Sequence, residues 1–328
     1  MHRLICAIND MRNPSIVGLD PTQQLIPRQV VRTAMDRAGH GSVPESAACA
    51  TDLSEAFLAF NHAVIDAVAD IVPAVKPQIA MYEALGPEGL FAYAATCAYA
   101  RSRGLYVLGD IKRGDIGSTA SAYARHLGGG ETDGGKDDAS ASACDFWHED
   151  AVTVNPYLGF DGVRPFVEAA RRHDKDVFIL VRTSNPSSSQ IQELALARGE
   201  ALYEHVGDLV EQWGVDDVDD SGYSRVAAVV GATHPDQGAA LRRRMPHTFF
   251  LVPGYGAQGG TARDAAAMFD DHGSGAIVNS SRGIIGAWRR SPDYRSGLSS
   301  PEALSLVSRE ARAAAIAMRD DLRNALYQ

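Results

Sequence analysis

A single (β/α)8 TIM barrel is the fold this sequence predicts, and three observations carry that expectation. Eight apolar runs of strand length alternate, in strict order, with eight segments of helical period. The runs are short, rich in β-branched residues and do not alternate with polar ones, as befits parallel strands covered by helices. Each run ends in charged, polar or Gly/Pro-rich residues, which suits a barrel that builds its chemistry at the C-terminal ends of its strands. The same alternation could wind into an open doubly wound sheet, but one barrel accommodates all 328 residues without a second domain. Residues 1–328 therefore read as one TIM-barrel domain.

The elements follow in order along the chain. Residues 15–20 (SIVGLD) form the first strand, and 40–51 a small-residue linker. Leu53, Phe57, Phe60, Val64 and Val68 then recur at helical spacing, with Asp52 and Glu55 resembling a capping box at the start. A strand at 71–76 precedes a helix at 88–103 that Gly104 closes as its C′ residue. Strand 105–110 leads to helix 118–127, strand 151–154 to helix 162–173, and strand 177–181 to a long helix over 190–213. Strand 226–230 precedes helix 235–244, and strand 248–252 precedes helix 261–272. Strand 275–278 comes before a final helix, 301–326, with Leu304, Val307, Ala311, Ala314, Met318 and Leu322 on one face. Residues 128–143 (GGGETDGGKDDASASA) lack apolar anchors and read as a flexible insertion, and 215–224 as an acidic loop.

Composition removes several function classes. With 31 Lys and Arg against 41 Asp and Glu, the formal charge is −10, the wrong sign for a surface that grips nucleic acid or an anionic membrane. No apolar run approaches the ~18 residues of a membrane span, and the N-terminal MHRLICAINDMRN lacks the apolar stretch of a signal peptide. Cys6, Cys49, Cys97 and Cys144 form no CxxC pair, so reduced thiols in a cytoplasmic protein are expected. The histidines show no HExxH, and Ser280 and Ser281 lack a G-x-S-x-G context; a metal site and a serine hydrolase are both unsupported.

The strand ends hold the chemistry. Strand one ends at Asp20, strand two at Lys76 and strand three at Asp110, the first residue of DIKRGDIGST. Asp110 and Lys112 are two apart on extended backbone, so both side chains point the same way. Alternating anions and cations at this range can hold charges that isolated burial would not tolerate. Such an array suits a general acid flanked by a fixed carboxylate, and equally a structural ion network at a barrel rim. After strand seven, PGYGAQGG (253–260) carries four glycines that let backbone N–H groups approach a phosphate, and Arg282 after strand eight can add a guanidinium contact. Loops seven and eight are where many barrels hold phosphate.

The sequence resembles the orotidine 5′-phosphate decarboxylases, and specifically their longer bacterial (type 2) subgroup. Asp110, Lys112, Asp115 and Ile116 match the D-x-K-x-x-D-I pattern of that family. Flanking blocks VKPQ (75–78), NPYLGFD (155–161), RTSNP (182–186), VVGAT (229–233) and VPGYGAQGG (252–260) extend the likeness over roughly residues 15 to 290. The resemblance implies a barrel that converts orotidine 5′-phosphate to UMP and CO2, the last step of de novo pyrimidine synthesis, with no metal and no organic cofactor. It implies Lys112 as proton donor to C6, Asp110 against the substrate carboxylate, and Lys76 completing the charge network. Asp20 and Lys76 would bind the ribose and Ser184 the pyrimidine. Pro253, Gln258 and Arg282 would contact the substrate at the phosphate loops. Asp115, Ile116 and Thr119 would reach into a partner subunit's site, which implies a homodimer with shared active sites.

Three other readings share parts of this pattern. An Mg²⁺-dependent sugar-phosphate lyase or decarboxylase of the same barrel superfamily would also use Asp110, Lys112 and Asp115. A Schiff-base aldolase could use Lys76 or Lys112, and a non-catalytic protein could simply bind a phosphorylated ligand.

Overall fold

The computed structural model describes residues 1–128 and 145–327. The insertion expected at 128–143 thus lies outside the described residues except for Gly128. The elements run α1 (His2–Met11), β1 (Ser15–Leu19), α2 (Arg28–Arg37), α3 (Ala50–Val68), β2 (Ala74–Pro77), α4 (Ile79–Glu83), α5 (Pro87–Ser102), β3 (Tyr106–Arg113) and α6 (Gly117–Ala124). They continue with β4 (Ala151–Val154), α7 (Phe160–His173), β5 (Asp176–Arg182), α8 (Ser189–Gln192), α9 (Leu202–Gly214), β6 (Ser224–Val230) and α10 (Pro235–Arg244). Last come β7 (Thr248–Val252), α11 (Ala262–Ala266), β8 (Ala276–Ser280), α12 (Arg282–Ile285) and α13 (Ser300–Tyr327).

Strands β1 to β8 pair in parallel in chain order, and β8 returns to β1 through Ser15↔Val278 and Ile16↔Asn279. That closure excludes the open sheet, whose first strand could not pair with its last. Side chains of successive strand residues face opposite ways, so each strand has an inward and an outward set. Val17, Val75, Val107, Val152, Ile179, Ala228, Phe250 and Val278 face outward and pack under the helices. Ile16, Ala74, Leu108, Ala151, Phe178, Ala227, Phe249 and Ile277 fill the interior. Continuing the inward parity towards the strand C-termini reaches Lys76, Asp110, Thr153, Leu180, Val229, Leu251 and Asn279, so one column of positions changes from apolar filling to chemistry. Close packing demands a glycine there: a Cβ on Gly18 would lie 1.8 Å from Ser281 Oγ.

Several elements differ from the sequence expectation for identifiable reasons. α1 and α2 were not anticipated; α1 buries Leu4 and Ile5 against the lower interior beside Ile16 and Tyr106, closing the N-terminal end of the barrel. α3 begins at Ala50, and its box pairs the Cys49 backbone N–H with the Asp52 carboxylate rather than using Asp52 and Glu55. The helix expected over 190–213 is two helices. Buried Arg182 holds Gln192 and Glu193 in place, and the chain then turns through Gly199 at φ 88° before α9 begins. The helix expected over 261–272 stops after Ala266. Among the described residues no helix is long and apolar enough to cross a membrane.

Candidate active site

A cavity of about 660 Å³ opens at the C-terminal mouth of the barrel. Among the residues singled out from the sequence, Asp20, Lys76, Asp110, Lys112, Ser184, Pro253, Gln258 and Arg282 line it. Asp115, Ile116 and Thr119 do not; they sit at the start of α6, with Ile116 56% exposed and the Asp115 carboxylate accepting the Ile116 N–H.

The cavity floor is an ion array centred on buried Asp110. Its Oδ2 accepts from Lys76 Nζ at 2.8 Å and Gln78 Nε2 at 2.9 Å. Its Oδ1 accepts from Lys112 Nζ and, at 2.9 Å, from the Thr153 hydroxyl. Burial pushes the Asp110 carboxyl upward, but the attraction of Lys76 and Lys112 outweighs it and holds the group well below the usual carboxylate range. Burial likewise favours a neutral Lys76, yet Asp110 and then Asp20 overcome that and raise its pKa. Both groups therefore stay ionised at neutral pH. Lys112 differs from Lys76 in exposure: its side chain is 44% accessible, so its ammonium borders the open cavity while remaining tied to Asp110.

The opposite rim carries the glycine-rich loop and Arg282. In the loop after β7, Gly254, Gly256 and Gly259 have φ values of 105°, 73° and 95°, which glycine adopts without strain. The turn closes through Gly260 N–H to Gly254 C=O at 3.0 Å, and Tyr255 anchors it by donating to Asp321 at 2.8 Å. Arg282 projects from the first turn of α12, and no carboxylate pairs with it among the described residues. Ser184 donates to Gln258 Oε1 at 2.7 Å, bridging the β5 and β7 loops across the mouth. Between floor and rim lies an apolar patch of Leu180, Val229 and Leu251. Asp20 Oδ1 and Asn279 Oδ1 are buried acceptors without a hydrogen-bond partner among the described residues.

Sequence reasoning missed Gln78, Thr153 and Asn279. The available signal was a polar residue of inward parity on an otherwise apolar strand, clearest for Thr153 in AVTV. His40, Cys49 and Asp52, whose ligand atoms lie within 4.8 Å of one another, stand apart from the cavity. There Asp52 already caps α3 and bonds His40 Nδ1 at 3.0 Å, which accounts for the cluster without a metal.

Comparison with known proteins gives a consistent result. Residues 16–293 match the model of the Orotidine 5′-phosphate decarboxylase / HUMPS family. The chain is 42% identical over 289 residues to the orotidine 5′-phosphate decarboxylase of Rhodopirellula baltica, covering 88% of each. It is 39% identical to that of Clostridium acetobutylicum, covering 84% of this chain and 87% of the relative. Its fold resembles the solved structure of Leishmania donovani OMP decarboxylase, with a TM-score of 0.70 and 28% identity over 99% of each chain.

Proposed function

Since the chain belongs to the orotidine 5′-phosphate decarboxylase family, we infer that this cavity removes CO2 from orotidine 5′-phosphate to give UMP, with Lys112 as the proton donor. One observation carries the reading: a Lys76–Asp110–Lys112 array and an anion-binding rim face the same cavity from opposite sides.

The chemistry follows from charge. Loss of CO2 leaves an electron pair at C6 of the pyrimidine with no adjacent carbonyl to delocalise it. An ammonium already in place stabilises that charge and then supplies a proton to the carbon. Lys112 is the more open of the two ammonium-bearing side chains at the cavity, at 44% accessible against 5% for Lys76, which keeps Asp110 ionised. Asp110 stands beside the substrate carboxylate, and their repulsion is relieved as CO2 departs. The pyrimidine covers the Leu180, Val229 and Leu251 patch, with Ser184 and Gln258 at its polar edge. Asp20 and Asn279 supply free acceptors for ribose hydroxyls, and Lys76 adds a donor beside them. Arg282 and the glycine-rich loop that begins at Pro253 take the phosphate.

Two further features belong to this reading. The chain fits the longer bacterial (type 2) subgroup and acts in the cytoplasm as a homodimer. In that dimer Asp115, Ile116 and Thr119 complete the neighbouring site, consistent with their position outside this chain's own cavity. No metal is required: both oxygens of Asp110 are occupied by ammonium groups and neutral donors, which leaves a poor ligand for Mg²⁺ and disfavours the sugar-phosphate lyase.

The test is the ultraviolet change on mixing the protein with orotidine 5′-phosphate, with and without EDTA. Stoichiometric conversion to UMP, unchanged by the chelator, is expected. Binding without conversion would contradict the decarboxylase reading, and activity abolished by EDTA would contradict the metal-free one.

A further inference from the structure

The pairing of β3 with β4 breaks where the ion array sits. Leu108 pairs with Ala151 and Gly109 with Val152, but the next pair is Arg113 with Val154. Four residues on β3 thus advance against two on β4, and Asp110, Ile111 and Lys112 bulge from the ladder. Inside the bulge Lys112 has φ 45°, the left-handed region that a lysine rarely adopts. Something must hold it there.

Thr153 meets that requirement. The Lys112 backbone N–H donates to Thr153 Oγ1 at 2.9 Å, and the same hydroxyl donates to Asp110 Oδ1 at 2.9 Å. Asp110 Oδ1 also accepts from the Lys112 ammonium, so backbone, hydroxyl, carboxylate and ammonium close a ring. Thr153 is 1% exposed, and its β-branched side chain is stiff at χ1, which fixes the hydroxyl to β4. One hydroxyl therefore uses its single proton on the carboxylate and one lone pair on the strained amide.

We propose that Thr153 is a positioning residue for the decarboxylation: its hydroxyl holds Lys112 in the left-handed backbone and Asp110 in register, so that ammonium and carboxylate meet the substrate pre-aligned. The inference rests on the decarboxylase reading above, and acts through Asp110 and Lys112 rather than on the phosphate rim. Removing the hydroxyl leaves a partly buried N–H without its acceptor and buried Asp110 short of one donor. The cost falls on alignment at C6.

The experiment compares wild-type protein with Thr153→Val, which keeps the shape, and Thr153→Ser, which keeps the hydroxyl. For each, kcat and KM for orotidine 5′-phosphate, UMP affinity and thermal stability are measured. Thr153→Val is expected to lose roughly ten- to a hundredfold in kcat, the range set by one buried unsatisfied group. UMP lacks the reacting carboxylate, so its affinity is expected to stay near wild type, and Thr153→Ser to recover most of the turnover. If the valine variant does not fold, Thr153→Ala is read by the same criteria. A hydroxyl-free variant with wild-type kcat, a loss that Thr153→Ser shares, or a loss matched by equally weakened UMP binding would overturn the inference. Wild-type protein that binds UMP yet never converts orotidine 5′-phosphate would overturn the decarboxylase reading instead, and this inference with it.

Discussion

Truncating Lys112 to alanine separates catalysis from folding more sharply than any other change at this site. The Lys112 side chain is 44% accessible, so its attraction to Asp110 is screened by water. After truncation Asp110 still accepts from Lys76, Gln78 and Thr153, at 2.8, 2.9 and 2.9 Å. No buried charge is orphaned, and the stability cost is about 1 kcal/mol or less, a few degrees in Tm. Turnover is expected to behave differently, because the proposed mechanism makes the same ammonium both the electrostatic partner of the developing carbanion and its proton source. A proton donor contributes about 10²–10⁴-fold and a pre-placed charge about 10²–10³-fold, so the variant is expected to lose at least about 10⁴-fold in kcat. The assay follows the absorbance of orotidine 5′-phosphate, with UMP titration calorimetry and a melting curve as controls for the site and the fold. A folded, UMP-binding Lys112→Ala protein with turnover within tenfold of wild type would refute the assignment of the proton to this residue.

The other predictions distinguish the remaining parts of the site. Asp110→Asn strands the enclosed Lys76 ammonium with only Asp20 nearby, and is expected to destabilise by about 3 kcal/mol. The depressed Asp110 carboxyl contributes stability above its unfolded pKa of about 4 and loses it only as pH falls through the lower folded value; the raised Lys76 contributes below about 10.4 and loses it only as pH rises through the higher folded value. The Tm gap between wild type and Asp110→Asn is thus expected to stay constant from about pH 5 to 9, and a gap that closes within that window would show the pair is not ionised throughout. Arg282→Ala removes an exposed guanidinium and should raise KM for the phosphorylated substrate roughly ten- to a hundredfold with Tm unchanged; identical kinetics would move the phosphate elsewhere. Ile116→Asp places a charge on the exposed apolar residue assigned to the subunit contact, and is expected to yield monomers of much reduced activity by light scattering and assay; a wild-type protein already monomeric at micromolar concentration would defeat the shared-site arrangement.

What the sequence disclosed and what it hid follow one physical division. Residues at strand ends were legible, because a barrel gathers those ends at one mouth whatever the loops do; Lys76 and Asp110 were found this way, and Arg282 from its place just after strand eight. Features created by distant contacts were hidden. Nothing local in the long apolar-periodic segment announces that Arg182, ten residues earlier than Gln192, will hold its start apart from α9. The left-handed backbone of Lys112 is equally silent, since a lysine has no preference for it and the hydroxyl that stabilises it comes from the next strand. Thr153 reads as an ordinary strand residue, and Gln78 as an ordinary residue just past a strand, until their shared acceptor is located.

The proposed placement of the substrate carboxylate beside Asp110 also requires a source of energy for confining two carboxylates. Asp110 cannot avoid repulsion by taking up a proton, because its two ammonium neighbours keep it ionised far below neutral pH. A substrate carboxylate placed beside Asp110, as proposed, therefore meets a permanent anion, and the cost has to be offset by contacts that do not change during the reaction. Those lie on the other side of the cavity, at Arg282 and the glycine-rich loop, with the apolar patch between. In the proposed mechanism, interactions at the phosphate rim hold substrate and transition state alike, whereas those at Asp110 and Lys112 improve only as the C–C bond breaks. In the proposed mechanism catalysis thus depends on keeping a uniform grip and a changing one on opposite sides of a single cavity, with the Thr153 hydroxyl beneath Lys112 keeping the changing one aligned.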